Sequence, residues 1–516
     1  MKRTLLAAAA LTALSLTLAS CAGASDPSST DEKQTTVTLG LASAPISLDP
    51  SKAATGLYVN YVDPAYASLL DRSVDGEIVA GLADEWGYVG EGNTEFHVTL
   101  RDGVLWADGT EITAEQVVAS LEYFKTGSGP SAPYLAEMSF AAVDERTVAI
   151  TTPTANPMIP DLLTPEYLAG AVISPAGLEN PEGLAEATYG AGPYVYDAAD
   201  SVSGDTYVFV PNENYYDQDA INWEQITIRV VANTNSAVEA LKSGQLDFIS
   251  GTPDSAKAIE GTDGIVVDSA PALWAGLYIL DRNGEVVPAL ADERVRQALN
   301  YAVDREAIAD AVYGEFGGAL AQPAVPGFDG YSESANSFYE YDPEKAKSLL
   351  AEAGFADGFT IPVNYGSFDQ ENTKVVQAVQ SQLAEVGVTL ELKAAANFGG
   401  WVDDLVSKKH AMTLLSPGAG GAQYFITQST FLPGGILNIF GAEDAELTAA
   451  YGELIIASTE ERAAAAQKIS EIAAEHALSL PISSASTIVI YDDALSGVEF
   501  TKGVAIPTYV TDWTVD

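Results

Sequence analysis

"FHVTLRDGVLWADGTEITAEQVVASLEYF", residues 96–124, changes its periodicity half-way. Phe96, Val98 and Leu100 alternate with polar residues, the two-residue period of a half-buried strand. Gly103 and Gly109 then fall where the chain must turn, with Trp106 between them as a packing residue. Thr113 followed by Gln116 is a capping box, and Val117, Leu121 and Phe124 recur on one helical face. Strand, paired turns and capped helix in 29 residues point to a mixed α/β chain.

The neighbouring stretches agree. "TVTLGLA" (36–42), "TVAITTP" (147–153), "TYVFVPNENYY" (206–216) and "ITIRVV" (226–231) read as strands. "NSAVEALKSG" (235–244) reads as a helix capped by Ser236 with Glu239 and stopped by Gly244, and "LDFIS" (246–250) follows as a strand. Strand, short helix, strand is a βαβ unit and predicts parallel pairing. Later, Asp304 recaps a helix that ends at Gly314. Asp342, Pro343 and Gly354 frame another, and Ser458 with Glu461 caps a third. "TIVIYDD" (487–493) and "GVEF" (497–500) predict late strands. No repeat period or heptad is present.

Composition narrows the function. The chain has 516 residues, 47% of them hydrophobic, enough for several cores. Its formal charge is −48, so phosphate neutralisation, and with it nucleic-acid binding, is excluded. At the N-terminus, Lys2 and Arg3 precede the apolar run 5–19, which is too short for a stable span. "LASC" (18–21) resembles the lipobox of bacterial lipoproteins. That resemblance implies a signal peptide over 1–20, acylation of Cys21 and a tether over 21–35, rich in small polar residues. Cys21 is the single cysteine, so an intrachain disulfide and a cysteine-based zinc site are both excluded.

The ordered blocks "LGLASAPISLDP" (39–50), "YASLLDRSVDGEIVAGLADEW" (66–86), the quoted 96–124 stretch, "GAGPYVY" (190–196), "VRQALNYAVDREAI" (295–308) and "YDPEKAKSLLAEAGF" (341–355) resemble the extracellular solute-binding proteins of bacterial ABC importers. The group is family 5, which includes peptide and nickel binders. The resemblance implies a two-lobed α/β periplasmic-binding-protein-like fold (type II) with an additional domain on the first lobe. Carried onto this chain, lobe one takes 36–80, 188–282 and 486–516, the extra domain 81–187, and lobe two 283–485. It also implies a monomer held outside the cytoplasmic membrane by its lipid, delivering a solute to a permease driven by cytoplasmic ATPases, without a cofactor.

Ligand contacts in that family come from the first strand's loop, the lobe crossovers and second-lobe loops. The matching positions give Ser43, Tyr58, Trp274, Tyr278, Trp401, Gln423 and Tyr424 as expected ligand contacts. Peptide binders of the family commonly place an Asp in the second-lobe loop to pair with the peptide's amino terminus. The loop here, "SPGAGGAQYF" (416–425), has no acidic residue, while Asp403 and Asp404 precede it in helical register. Blocked or longer peptides, oligosaccharides and other polar solutes therefore stay open. A surface receptor with the same fold is an alternative reading. Enzyme chemistry, for which a surface glycoside hydrolase using two carboxylates is the leading form, is disfavoured. His97, His410 and His476 lack metal-ligand spacing, no Gly-x-Ser-x-Gly elbow occurs, and the "GAGPY" glycines lack the Lys-Ser/Thr of a phosphate loop.

Overall fold

The computed structural model describes residues 35–414 and 422–515. The signal peptide, Cys21, all but the last residue of the tether, and loop residues 415–421 lie outside the described residues. Among those described, no helix is long and apolar enough to cross a membrane.

The quoted stretch folds as its period demands. Glu95–Leu100 lies inside a four-stranded antiparallel sheet, flanked by Ala83–Tyr88 and Thr147–Thr151, with Ser139–Ala142 at the edge. The backbone turns at Gly103 (φ 72°) and Gly109 (φ 84°), left-handed values that glycine adopts without strain. In the helix Ala114–Lys125, the capping Gln116 side chain does double duty. Its Oε1 accepts from Thr113 N (3.1 Å) and from the indole Nε1 of fully buried Trp106 (2.9 Å). The same carboxamide thus starts the helix and satisfies a buried donor. Val117, Leu121 and Phe124 are buried as the helical spacing required; each is worth roughly 1.5–3 kcal/mol.

An 11-stranded sheet organises the rest. Thr36–Leu41 pairs in parallel with Gln225–Val230 on one side and with Phe248–Ser250 on the other, which is the expected βαβ arrangement with one strand threaded between. The intervening helix begins earlier than its sequence suggests. It spans Thr234–Lys242, and Asn233, not Ser236, is the cap, accepting from Ser236 N at 2.9 Å. Asn233 starts the helix one turn sooner by capping the Ser236 N–H, which leaves Ser236 inside the first turn instead of before it. "GVEF" forms no strand; Phe500 makes an isolated bridge to Pro507. Asp304, Asp342 and Ser458 cap their helices as expected.

Two long antiparallel strands, Ile265–Ile279 and Ser479–Asp492, run through the middle of this sheet. They serve different cores along their length. Val489 and Tyr491 belong to a large core built from 37–248, 424–478 and 489–513, whereas Leu277, Ile279, Leu480 and Ile482 belong to a second core from 275–482. Irregular register at Pro271/Leu273 and Ala275/Gly276 bends the pair near the change of core. The helices Gln423–Thr430, Ala445–Ile456 and Thr459–Glu475 turn apolar faces to the first core.

The glycines of "GAGPY" have a steric role. A Cβ on Gly190 would sit 2.2 Å from the Ala65 carbonyl, and one on Gly192 2.5 Å from the Pro64 carbonyl. They let two backbones touch.

Candidate functional site

A cavity of ≈ 250 Å³ opens where segments from both halves of the chain converge. The strand Ile265–Ile279 contributes Trp274 and Tyr278 to its lining, with ring centroids 4.4 Å apart. Tyr134 and Tyr167 line it as well, and Phe425 closes a triangle with them at 4.2 Å from Tyr134 and 5.5 Å from Tyr167. Aromatic faces of this kind offer large contact area with few polar atoms. Burial pushes the hydroxyls of Tyr278 and Tyr167 well above the ordinary tyrosine range, so both stay neutral.

The segment carrying Tyr167 is held under backbone strain. Leu168 has φ 64°, and Gly170 packs so closely on Leu163 that a Cβ there would overlap its carbonyl. Leu69 N and Leu70 N bond to the Gly170 and Leu163 carbonyls (2.9 and 3.2 Å), fixing the turn against the first half of the chain.

Two buried polar groups in the cavity wall stand without hydrogen-bond partners among the described residues: Trp274 Nε1 and Glu166 Oε2. Five residues from Glu166, Asp161 is fully engaged. Its oxygens accept from Arg72 Nη2 (2.8 Å) and Arg462 Nη1 (3.0 Å). The Arg462 contact ties the helix Thr459–Glu475 to this corner.

The expected contact residues fall into groups. Trp274 and Tyr278 line the cavity. Tyr424 lines the adjoining outer recess, which shares Tyr134 and Phe425 with the cavity. Gln423 is fully buried; its backbone N–H donates to Asp329 Oδ1 (3.1 Å), and its Oε1 accepts from Ser470 Oγ (3.3 Å). Trp401 is buried, its Nε1 donating to Thr413 Oγ1 at 3.0 Å. Ser43 donates to the Tyr58 hydroxyl (2.9 Å), and this pair is not part of the cavity lining. The sequence reading missed Tyr134, Glu166, Tyr167 and Phe425. One signal was available: "MIPDLLTPEYLAGAVI" (158–173) carries two acids inside an otherwise apolar run.

The histidines take local roles. His97 Nε2 meets Glu95 Oε1 (2.8 Å) and His476 Nδ1 meets Asp444 Oδ2 (2.7 Å). Among the described residues no group of three or more acids, histidines or cysteines is placed to hold a metal.

The profile of bacterial extracellular solute-binding proteins, family 5 (middle), matches residues 77–432. The chain is 26% identical over 372 residues to the probable D,D-dipeptide-binding periplasmic protein DdpA of Escherichia coli K12, covering 70% of each chain. It is 29% identical over 357 residues to the glutathione-binding protein GsiB of Pectobacterium atrosepticum, covering 67% of each. In fold it is similar to the substrate-binding protein CtaP of Listeria monocytogenes, with TM-score 0.78 at 22% identity over 94% of this chain and 100% of that one.

Proposed function

The chain belongs to the bacterial extracellular solute-binding proteins of family 5, and we propose that its ligand is a small polar solute, a short peptide foremost, held in the cavity beside Trp274. Members of the family bind solutes for ABC importers and are not enzymes. This chain therefore works with an importer's permease, and the enzyme and surface-receptor readings give way to transport. The aromatic-walled cavity carries the choice of ligand. At ≈ 250 Å³ it sits just below the roughly 300–1,000 Å³ of ordinary small-molecule sites, so it suits a solute of about dipeptide size. Relatives named for a D,D-dipeptide and for glutathione favour the same scale.

Binding proceeds by closure. A ligand touching both the strand wall and the Tyr134–Tyr167 wall binds the closed arrangement better and shifts the population toward it. The two long strands shared by the two cores are the hinge of this closure. Acylated Cys21 holds this monomer on the outer face of the membrane, and the following polar segment gives it reach. Expressed in a lipoprotein-processing host, Cys21→Ser should leave the membrane fraction, or stay uncleaved, with ligand binding by the folded body unchanged. The ligand reading is tested by native mass spectrometry of gently purified protein, followed by small-angle scattering with and without the recovered solute. A bound species of dipeptide size and a more compact liganded form are expected; a large oligosaccharide, or unchanged compactness on saturation, would count against it.

A further inference from the structure

Glu166 and Trp274 form an unsatisfied acceptor and donor in one cavity. Glu166 is 8% exposed and Trp274 3% exposed, and each lines the cavity. Glu166 Oε2 and Trp274 Nε1 have no hydrogen-bond partner among the described residues. A buried polar atom left unpaired is destabilising, so each is a place where a ligand atom gains more than it would at a satisfied wall.

The charge around Glu166 selects the sign of that ligand atom. The facing cation is Arg72, whose Nε stands 3.6 Å from Glu166 Oε1, beyond hydrogen-bond length. Arg72 spends its better donors elsewhere, on Asp161 Oδ1 (2.8 Å) and the Gly76 carbonyl (3.0 Å). Arg462 Nη1 also serves Asp161, at 3.0 Å, so Asp161 holds the close donors of both guanidinium groups and Glu166 is left with the longer contact. A cationic donor on a ligand would complete that unfilled pairing.

We propose that Glu166 is the anionic recognition residue of this cavity, and that the ligand is a compact amine whose protonated nitrogen meets Glu166 while an acceptor oxygen meets Trp274 Nε1. The assignment rests on the cavity being the solute site, as set out above. It places cation recognition on the 163–170 turn, distant in sequence from the 416–425 loop where the family resemblance would look for an acid. Donor and acceptor together describe a primary amine with a nearby carbonyl on a body no larger than a dipeptide. The aromatic triangle covers its apolar part.

The test uses the whole soluble body and four dipeptides: L-alanyl-L-alanine, D-alanyl-D-alanine, L-alanyl-L-phenylalanine and glycylglycine. Each is paired with its N-acetyl form and titrated by calorimetry, with a mixed oligosaccharide set as control. Charge-assisted bonds set the scale. At least one free amine should bind about tenfold or more tightly than its acetyl partner. Glu166→Gln should abolish that preference while leaving the melting temperature near wild type, and Trp274→Phe should weaken both forms. Equal affinity for free and acetylated forms overturns the proposal. So does unchanged amine preference in Glu166→Gln. If that variant does not fold, the wild-type pairs alone decide. Binding of an oligosaccharide in the cavity, with no dipeptide bound, overturns the amine assignment yet keeps the cavity as the solute site. A solute found bound elsewhere on the chain overturns both.

Discussion

Trp274 and Trp401 belong to the same apolar cluster and are almost equally buried, at 3% and 2% exposure. They differ at one atom. The Trp401 indole N–H donates to Thr413 Oγ1, which in turn donates to the Asn364 carbonyl, and its ring stacks on Phe398 at 5.6 Å. The Trp274 N–H has no such partner and its ring borders open space. The contrast repeats in two acids of the 158–173 run. Asp161 is clamped by two guanidinium groups, whereas Glu166 keeps an oxygen free. On the proposed reading, the binding residue of each pair is the one that lines the cavity with its polar atom unsatisfied. Residue type and burial do not distinguish them.

The sharpest way to break the comparison is at Asp161. Asp161→Ala leaves Arg72 and Arg462 without their shared anion and should destabilise the fold by about 3–5 kcal/mol, read as a lower urea midpoint. Glu166→Gln, five residues on, should not approach that loss. Trp401→Ala comes next. It removes a packed ring and should cost about 3–5 kcal/mol of stability, while the fraction that stays folded binds ligand as before. Trp274→Phe should do the reverse. With the unpaired donor removed, stability should stay within about 1 kcal/mol of wild type, and ligand affinity should fall about tenfold by calorimetry. Equal stability losses at the two tryptophans would erase the distinction.

The smallest effect lies at His476. Burial disfavours its charged form, but the hydrogen bond and charge of Asp444 outweigh that, helped by Glu293 and Glu446, so its pKa is raised above 6.5. A group protonated more readily when folded adds stability below its unfolded value and loses it as pH rises through the folded value. His476→Ala should therefore lower the melting temperature more at pH 5.5 than at pH 8.5, without changing ligand affinity at either pH. A larger loss at pH 8.5 would reverse the sign.

Much of the fold was legible because it rests on local rules. The capping residues Thr113, Asp304, Asp342 and Ser458 act where their spacing places them, and the period of 96–124 gives both of its elements. The Ser236 cap failed because Asn233, also a strong cap, stood three residues before it, and local pattern does not rank the two. The cavity was half legible. Trp274 and Tyr278 share a strand and a family position, so a linear reading finds them. Tyr134, Glu166, Tyr167 and Phe425 meet only through long-range folding, across nearly 300 residues for the Tyr134–Phe425 pair. Trp401 looked identical to Trp274 because the partner that satisfies it, Thr413, is supplied by the folded sheet.

A crystal structure of the protein with its recovered solute tests the central claim most directly. The expected result is ligand density in the cavity lined by Trp274, Tyr134, Tyr167 and Phe425, with a donor nitrogen against Glu166 and an acceptor within hydrogen-bond reach of Trp274 Nε1. Density at the Ser43–Tyr58 pair or in the outer recess, with Trp274 Nε1 still unpaired, would contradict it.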